Sequence, residues 1–488
     1  MKKRYIIILF ILCGYSHRAN ITLFESNKRI EHISAIDGNT AMYEEYNTDI
    51  IKRIDIGRSV DAGDGILNRH DLTVYLSDTI PIKDCEIKDI SDVSKELFHK
   101  KNKGKQKKDK TPRSQKKVNT LILPVFAYNP ASGMQLGASA SSALYLGAKE
   151  NTRISFAGVK LAVTTESQFI SFLITNLYTN ENKFFFQGDW RYLKFSQTTY
   201  GLGTNAPEEI DLEPSWGFQG IHVGEDEGGD LLSYDYIKFH EIANRKVSDN
   251  FYVGLGYELD IYKNIEDPNL DTVSNPKVIT SHFGYSTLHG FDPQKYTLSG
   301  VSINAMFDSR DNQINAYKGY FARINYRMNP TFLGSSQNST QLWTEFRTYV
   351  GLSKKIPRHL IAFWYFGNFL VSGEQPYLTL MATAQDLKQK SGRGYVFGRF
   401  RGEDFMYAEA EYRFPLMRCA QTLGGVLFVN ASTASNRDAN VHLFDYVEPA
   451  VGFGIRLLMN KFTRMEISID FAYGFGSKGT YFGGGETF

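Results

Sequence analysis

Three features of this 488-residue chain predict an all-β fold: a 16-stranded antiparallel transmembrane β-barrel behind a short N-terminal region. From Val118 to Phe488, apolar and polar residues alternate with period two in successive segments, as strands with one lipid face and one lumen face must. The connections between those segments are short and long by turns. No run approaches the ~18 apolar residues that a membrane helix needs.

The chain opens on Lys2, Lys3 and Arg4, followed by the apolar stretch Tyr5–Cys13 and then Gly14 and Ser16. A basic start, a short apolar core and small residues read as an export signal. Cleavage is expected after Ser16, with Ala19 the alternative, so residues 1–19 are set aside. Leu12 before Cys13 is a poor fit to a lipoprotein site. Residues 20–99 are polar and show no clear period, and they are read as a periplasmic region. Within them "DAGDGILNRHD" (Asp61–Asp71) lacks the alternating ligands and closing Glu of a calcium loop, so it reads as a glycine turn. Residues 100–117 carry nine lysines and one arginine against Asp109 alone. Such a run repels itself and stays extended; it is a linker, or a tether to anionic headgroups.

Sixteen strands are expected over 118–128, 133–147, 152–165, 167–180, 183–197, 233–247, 250–263, 296–309, 319–331, 340–353, 358–373, 404–417, 419–433, 448–459, 463–475 and 479–488. In "FYVGLGYELD" Phe251, Val253, Leu255, Tyr257 and Leu259 face one way, and Glu258 and Asp260 the other. In "AEAEYRF" Glu409, Glu411 and Arg413 oppose Ala408, Ala410, Tyr412 and Phe414. "RMEISIDFAYG" sets Asp470 opposite Ile467, Ile469 and Phe471. Full charges on one face suit a wet lumen. A strand in lipid must also join a closed barrel, because an open edge leaves backbone groups unpaired. Long connections follow odd strands (198–232, 264–295, 374–403, 434–447), and mostly short ones follow even strands. Short periplasmic turns and long outer loops are the usual asymmetry.

Several motifs then fall on these strands in order: "FDSRDNQINAYKGYF" (Phe307–Phe321), "GRGY" (Gly392–Tyr395), "EYRFPL" (Glu411–Leu416), "LFVNAST" (Leu427–Thr433) and a closing Phe488. Together they resemble the BamA/TamA family of outer-membrane barrels, the bacterial surface antigen family, in its Bacteroidetes form. The resemblance covers 118–488. It implies that the sixth outer loop, 374–403, folds into the lumen and that Asp308, Arg310 and Asp311 form a strand–turn motif. It also implies that Arg393, with Gly394 and Tyr395, is the loop arginine and Glu411 its first partner. The family's second partner is an Asp where this chain has Asn430; Glu409 and Asp470 are the lumen-facing substitutes. Arg401-Gly402 is a second match to the loop arginine. Family insertases carry repeated periplasmic modules, and residues 20–117 leave room for at most one.

The joint between first and last strands carries Pro124, which cannot donate to a ladder, and Gly483, Gly484 and Gly485, which weaken a strand. With Phe482 and Phe488 as lipid anchors on one face of the last strand, this seam is expected to open sideways.

The implied function is insertion or translocation of protein, or lipid, at the outer membrane of a Gram-negative bacterium. Its implied partners are membrane lipid and client barrel proteins. The alternatives are a structural or receptor barrel without insertase activity, and a lipase. No "GxSxG" occurs, and His222, His240, His282, His289, His359 and His442 adjoin no nucleophile pattern, so no enzyme is expected. Nor is a cofactor, a metal or nucleic acid: Cys85 and Cys419 are far apart, "EDEGGD" (Glu225–Asp230) reads as an exposed acidic loop, and the net charge is only +2.

Overall fold

The computed structural model describes residues 87–98, 117–129, 133–206, 229–275, 277–353, 356–417 and 421–488, together with short strands between Ala19 and Pro81. Residues 1–18 of the expected signal, the Asp61–Asp71 turn, most of the lysine run, most of the acidic loop and all three cysteines lie outside the described residues. The chain divides at Glu86/Ile87. The first unit contains an antiparallel pair, Ala19–Glu25 with Lys28–Ala35, and a small sheet centred on Ile50–Ile56.

The second unit is the barrel. Its strands are β1 (Val118–Asn129), β2 (Gly133–Leu144), β3 (Ser155–Thr164), β4 (Phe169–Tyr178), β5 (Phe184–Thr199), β6 (Asp230–Ser248), β7 (Phe251–Glu266) and β8 (Tyr296–Asp308). They continue with β9 (Gly319–Asn329), β10 (Ser339–Gly351), β11 (Leu360–Gly373), β12 (Asp404–Pro415), β13 (Leu423–Ala434), β14 (Glu448–Asn460), β15 (Met465–Gly474) and β16 (Ser477–Gly484). All sixteen form one antiparallel sheet in chain order. Helix α1 (Ile90–Phe98) precedes β1, and α2 (Ser281–Leu288) lies in the β7–β8 connection.

Alternation sets the two faces. On β7, Val253, Leu255 and Tyr257 are exposed outward while Glu258 and Asp260 are buried inward. On β15, Ile469 and Tyr473 face out, and Glu466, Ser468 and Asp470 face in. Every ladder on this path is a hairpin with its sequence neighbour, so a one-residue slip would expose each buried charge.

The interior differs from a water-filled lumen: it is a packed core. Trp364, Phe366, Phe405, Tyr407, Tyr395 and Phe400 form one buried cluster inside it, and Phe488 joins them. A cavity of about 240 Å³ remains against the β5–β11 wall, room for about eight waters at ~30 Å³ each.

The last strand departs from expectation. β16 ends at Gly484, and residues 485–488 leave the sheet and enter the lumen. Phe488 is therefore no lipid anchor: it is only 2% exposed and packs on Trp364. Phe482 does face outward. The reason is charge. Continued alternation would place Glu486 on the same lipid face as Phe482, which a carboxylate resists. Gly485, at φ +82, makes the bend a side chain would strain.

Candidate functional site

Loop six, between β11 and β12, runs into the barrel as the resemblance implied. A 3₁₀ turn, Tyr377–Thr379, starts it, and a two-residue ladder, Met381–Ala382 with Arg401–Gly402, closes its neck. At the tip, Asp386 accepts from the backbone N–H groups of Lys388, Lys390 and Ser391 at 2.7–3.0 Å. The tip reaches across to β5, where Arg191 donates to the Leu387 carbonyl at 3.2 Å.

Arg393 is fully buried and meets three carboxylates. Its guanidinium donates to Glu409 at 2.7 Å, Glu411 at 2.5 Å and Asp470 at 2.8 Å. Its charged carbon also sits 3.5 Å from the centre of the Phe428 ring, so a π-face covers the side the carboxylates leave open. The structure thus brings Arg393, Glu409, Glu411 and Asp470 together. Asn430 plays a different part: its amide donates to the Arg393 main-chain carbonyl at 2.9 Å and leaves the guanidinium alone. A carboxylate there would repel that carbonyl.

Gly394 sits at φ +111, and a Cβ on it would lie 2.7 Å from that of Ala450. Only glycine lets the loop pass this close to β14. Its N–H donates to the Tyr481 hydroxyl on β16 at 3.0 Å. Tyr395 lies over Gly474, and its hydroxyl donates to Glu448 at 2.9 Å. Arg401 is not a second lumen arginine. It is buried at the loop neck, donating to the carbonyls of Tyr377 and Leu380 and lying over the Tyr377 ring.

Beside this cluster runs a network that sequence reading missed. Arg413 donates to Glu411 at 2.6 Å. Arg456 pairs with Asp470 at 2.5 Å and Glu486 at 2.6 Å, and Arg358 pairs with Glu466 at 2.9 Å. Inward parity was the available signal for Arg413, Arg456 and Glu466. Glu486 had none while the last strand was read as continuing. The inserted tail is gripped by loop six: Lys390 donates to the Gly485 carbonyl and Lys388 to that of Glu486, each at 3.2 Å.

The strand–turn residues lie at the short-turn end. Asp308 receives both a bidentate fork from Arg310 and the Tyr178 hydroxyl at 2.7 Å. Asp311 accepts from the N–H of Tyr317 and from Arg464 in the β14–β15 turn at 2.8 Å.

The joint of β1 and β16 is the one neighbouring pair of described barrel strands without a ladder between them. Pro124 lies on β1, opposite Ala138 of β2. Gly484 lies against Leu123: a Cβ built on it would be 3.5 Å from Leu123 Cδ1. Gly483 pairs with Ser468 of β15, and Gly485 is already outside the strand.

Residues 243–488 match the model of the Omp85 superfamily domain. Among solved structures, BamA from Haemophilus ducreyi lacking POTRA domains 1–3 aligns with 75% of this chain and 69% of its own, at 14% identity and a TM-score of 0.46. CdiB from Acinetobacter baumannii aligns with 74% of this chain and 56% of its own, at 11% identity and a TM-score of 0.42. No curated protein matches the chain at a significant level. The chain belongs to the Omp85 superfamily.

Proposed function

We propose that this barrel helps polypeptide, or lipid, pass into the outer membrane, with loop six as a plug and the β1/β16 joint as a side exit. The observation that carries this reading is the joint itself. Among the described residues fifteen ladders hold the barrel and none joins β1 to β16, where a proline-bearing strand meets an eight-residue strand. Parting that joint breaks side-chain contacts, whereas parting any other breaks a row of backbone bonds. The orientation follows from the loops: the long-loop end faces outward and the short-turn end faces the periplasm. Residues 1–19 then act as the export signal, and 20–117 as a periplasmic segment and tether. The role is non-enzymatic.

A Leu123→Cys/Gly484→Cys variant, with Cys85 and Cys419 replaced, tests the exit. Oxidised in liposomes, it should stop promoting insertion of an unfolded barrel protein, and reductant should restore activity. Full activity in the oxidised state would remove lateral opening from the mechanism. The second reading, a static structural or receptor barrel, draws on how firmly three carboxylates and a ring hold Arg393. It expects no insertion activity in either redox state.

A further inference from the structure

The charges facing the lumen cavity are unevenly shared. Along β5–β7 they balance: Asp189, Glu258 and Asp260 serve Arg191 and Lys238 there and Arg327 on β9. Toward the short-turn end they do not. Asp308 is divided between Arg153 and Arg310. Glu345 is divided between Arg323 and Arg347. Lys388, from loop six, lines the same cavity as Arg310, Arg323 and Arg347, and among the described residues its ammonium meets no carboxylate and donates to the Glu486 carbonyl. Arg310, Arg323, Arg347 and Lys388 line this end and Arg153 stands behind Asp308; these five cations face three carboxylates, Asp308, Glu345 and Asp386 of the loop, in an interior where unpaired charge is costly.

Unused donors point the same way. Arg323, Trp343 and Thr487 line this cavity, and Arg323 Nε, Trp343 Nε1 and Thr487 Oγ are buried atoms with no hydrogen-bond partner among the described residues; Thr487 is wholly buried. Arginine forks on adjacent strands, an ammonium, an indole N–H and a hydroxyl together make a donor-rich cradle. Such a set suits an oxyanion with several acceptor oxygens and more than one negative charge.

We propose that this end of the cavity binds a phosphate group. A phosphate monoester carries about −1.5 to −2 charge near neutral pH and three acceptor oxygens, whereas a carboxylate would offset only one of the surplus charges. Free phosphate and the headgroup of a phosphorylated lipid supply the same chemistry. The site does not depend on lateral opening.

The test is equilibrium dialysis of radiolabelled inorganic phosphate against the full chain in uncharged detergent, with ionic strength held constant by chloride. Saturable binding is expected, resistant to acetate. Arg323→Gln and Lys388→Gln should each weaken it about tenfold or more, as loss of a charge-assisted bond does, and Lys388→Arg should retain it. Short-chain phosphatidic acid distinguishes the sources: displacement of the label supports a headgroup site, and failure to displace supports a site for the free ion. Binding no better than that of chloride, or unchanged in both Gln variants, overturns the proposal. So does a loss in Lys388→Gln that Lys388→Arg shares, since the positive charge would then be irrelevant.

Discussion

Arg393 concentrates the energetics of the plug in one side chain. Removing it would leave Glu409, Glu411 and Asp470 crowded in the lumen. Breaking one side of a buried ion pair costs about 3–5 kcal/mol. Here the cost should sit at or below the lower end, because Arg413 and Arg456 still neutralise Glu411 and Asp470. Arg393→Ala is therefore expected to lower the temperature at which the barrel loses its heat-modifiable gel mobility. Arg393→Lys should recover little, since one ammonium cannot span three carboxylates. A double-mutant cycle with Asp470→Asn should show coupling of about 0.5–3 kcal/mol; additive losses would mean that the contact carries no energy. The residue types of this cluster were legible in sequence because parity places Glu409, Glu411 and Asp470 on the inner face. The identity of the second acid was not. It depends on reach across β14, where Gly454 leaves the space into which Asp470 extends. No pattern along one strand reports the depth of its neighbour.

Elements were legible in proportion to their periodicity. Fifteen strands lie close to where alternation puts them; the last stops at Gly484, short of its expected end, and its closing residues turn into the lumen instead. Helix α2 escaped for a physical reason. In α2, Ser281, His282, Gly284, Tyr285 and Ser286 are all buried, so the helix has no polar stripe to set a 3.6-residue period. Its burial has a consequence for pH. Asp267, just beyond β7, accepts from the Thr280 hydroxyl that caps α2. Burial pushes its carboxyl up to about 7; the Thr280 bond opposes this and the nearby Asp230 adds to it. A raised carboxyl favours the fold in its neutral form. That contribution is complete below the ordinary value of 3.8 and is lost as pH rises through about 7. His282 runs the other way: burial and Arg401 push it down to about 3, so its contribution is present above 6.5 and is lost only in acid. Burial lowers His289, the residue that ends α2, but its bond to Asp438 and the nearby Glu374 leave it raised above 6.5, so between about pH 6 and 8 Asp267 and His289 both change at this helix. Hydrogen exchange at the α2 amides, corrected for intrinsic rates, should lose protection across that range in the wild type and lose less of it in Asp267→Asn. Equal profiles would show that Asp267 does not titrate with the cap.

At the scale of the whole molecule, one short turn ties the joint to the rest of the barrel. The β14–β15 turn, Asn460 to Arg464, gathers three segments that are remote in sequence. Asn460 donates to Asn119 on β1 at 3.2 Å, reaching past the short β16. The N–H of Lys461 donates to Asp89 at 3.1 Å, and its ammonium pairs with Asp92 at 3.1 Å, fastening α1. Asp89 caps α1 as well, accepting from Ser91 N–H, so the helix starts where it docks. Arg464 binds Asp311 and lies 4.0 Å from the centre of the Tyr317 ring. The β8–β9 connection that carries these residues thus crosses the short-turn mouth. It buries Ile314 among Ala143, Ile154 and Met465, and Gln313 donates to the carbonyls of Ile154 and Asn176. β8 and β9 stand halfway round the sheet from the joint, so the connection acts as a strap under it. If the strap restrains the joint, cutting its outer bond should loosen β1 and leave the opposite wall alone. The Asp311–Arg464 contact is exposed, and such a pair contributes at most about 1 kcal/mol, up to about fivefold in an opening equilibrium. Asp311→Ala should therefore speed hydrogen exchange at the β1 amides by up to that factor, with β11 unchanged, and Arg464→Ala should do the same. In the Leu123→Cys/Gly484→Cys background it should also slow disulfide formation, because the two positions would spend less time together. If exchange at β1 does not respond in either variant, the strap and the joint are mechanically independent, and the barrel opens, if it opens, without releasing its short-turn end.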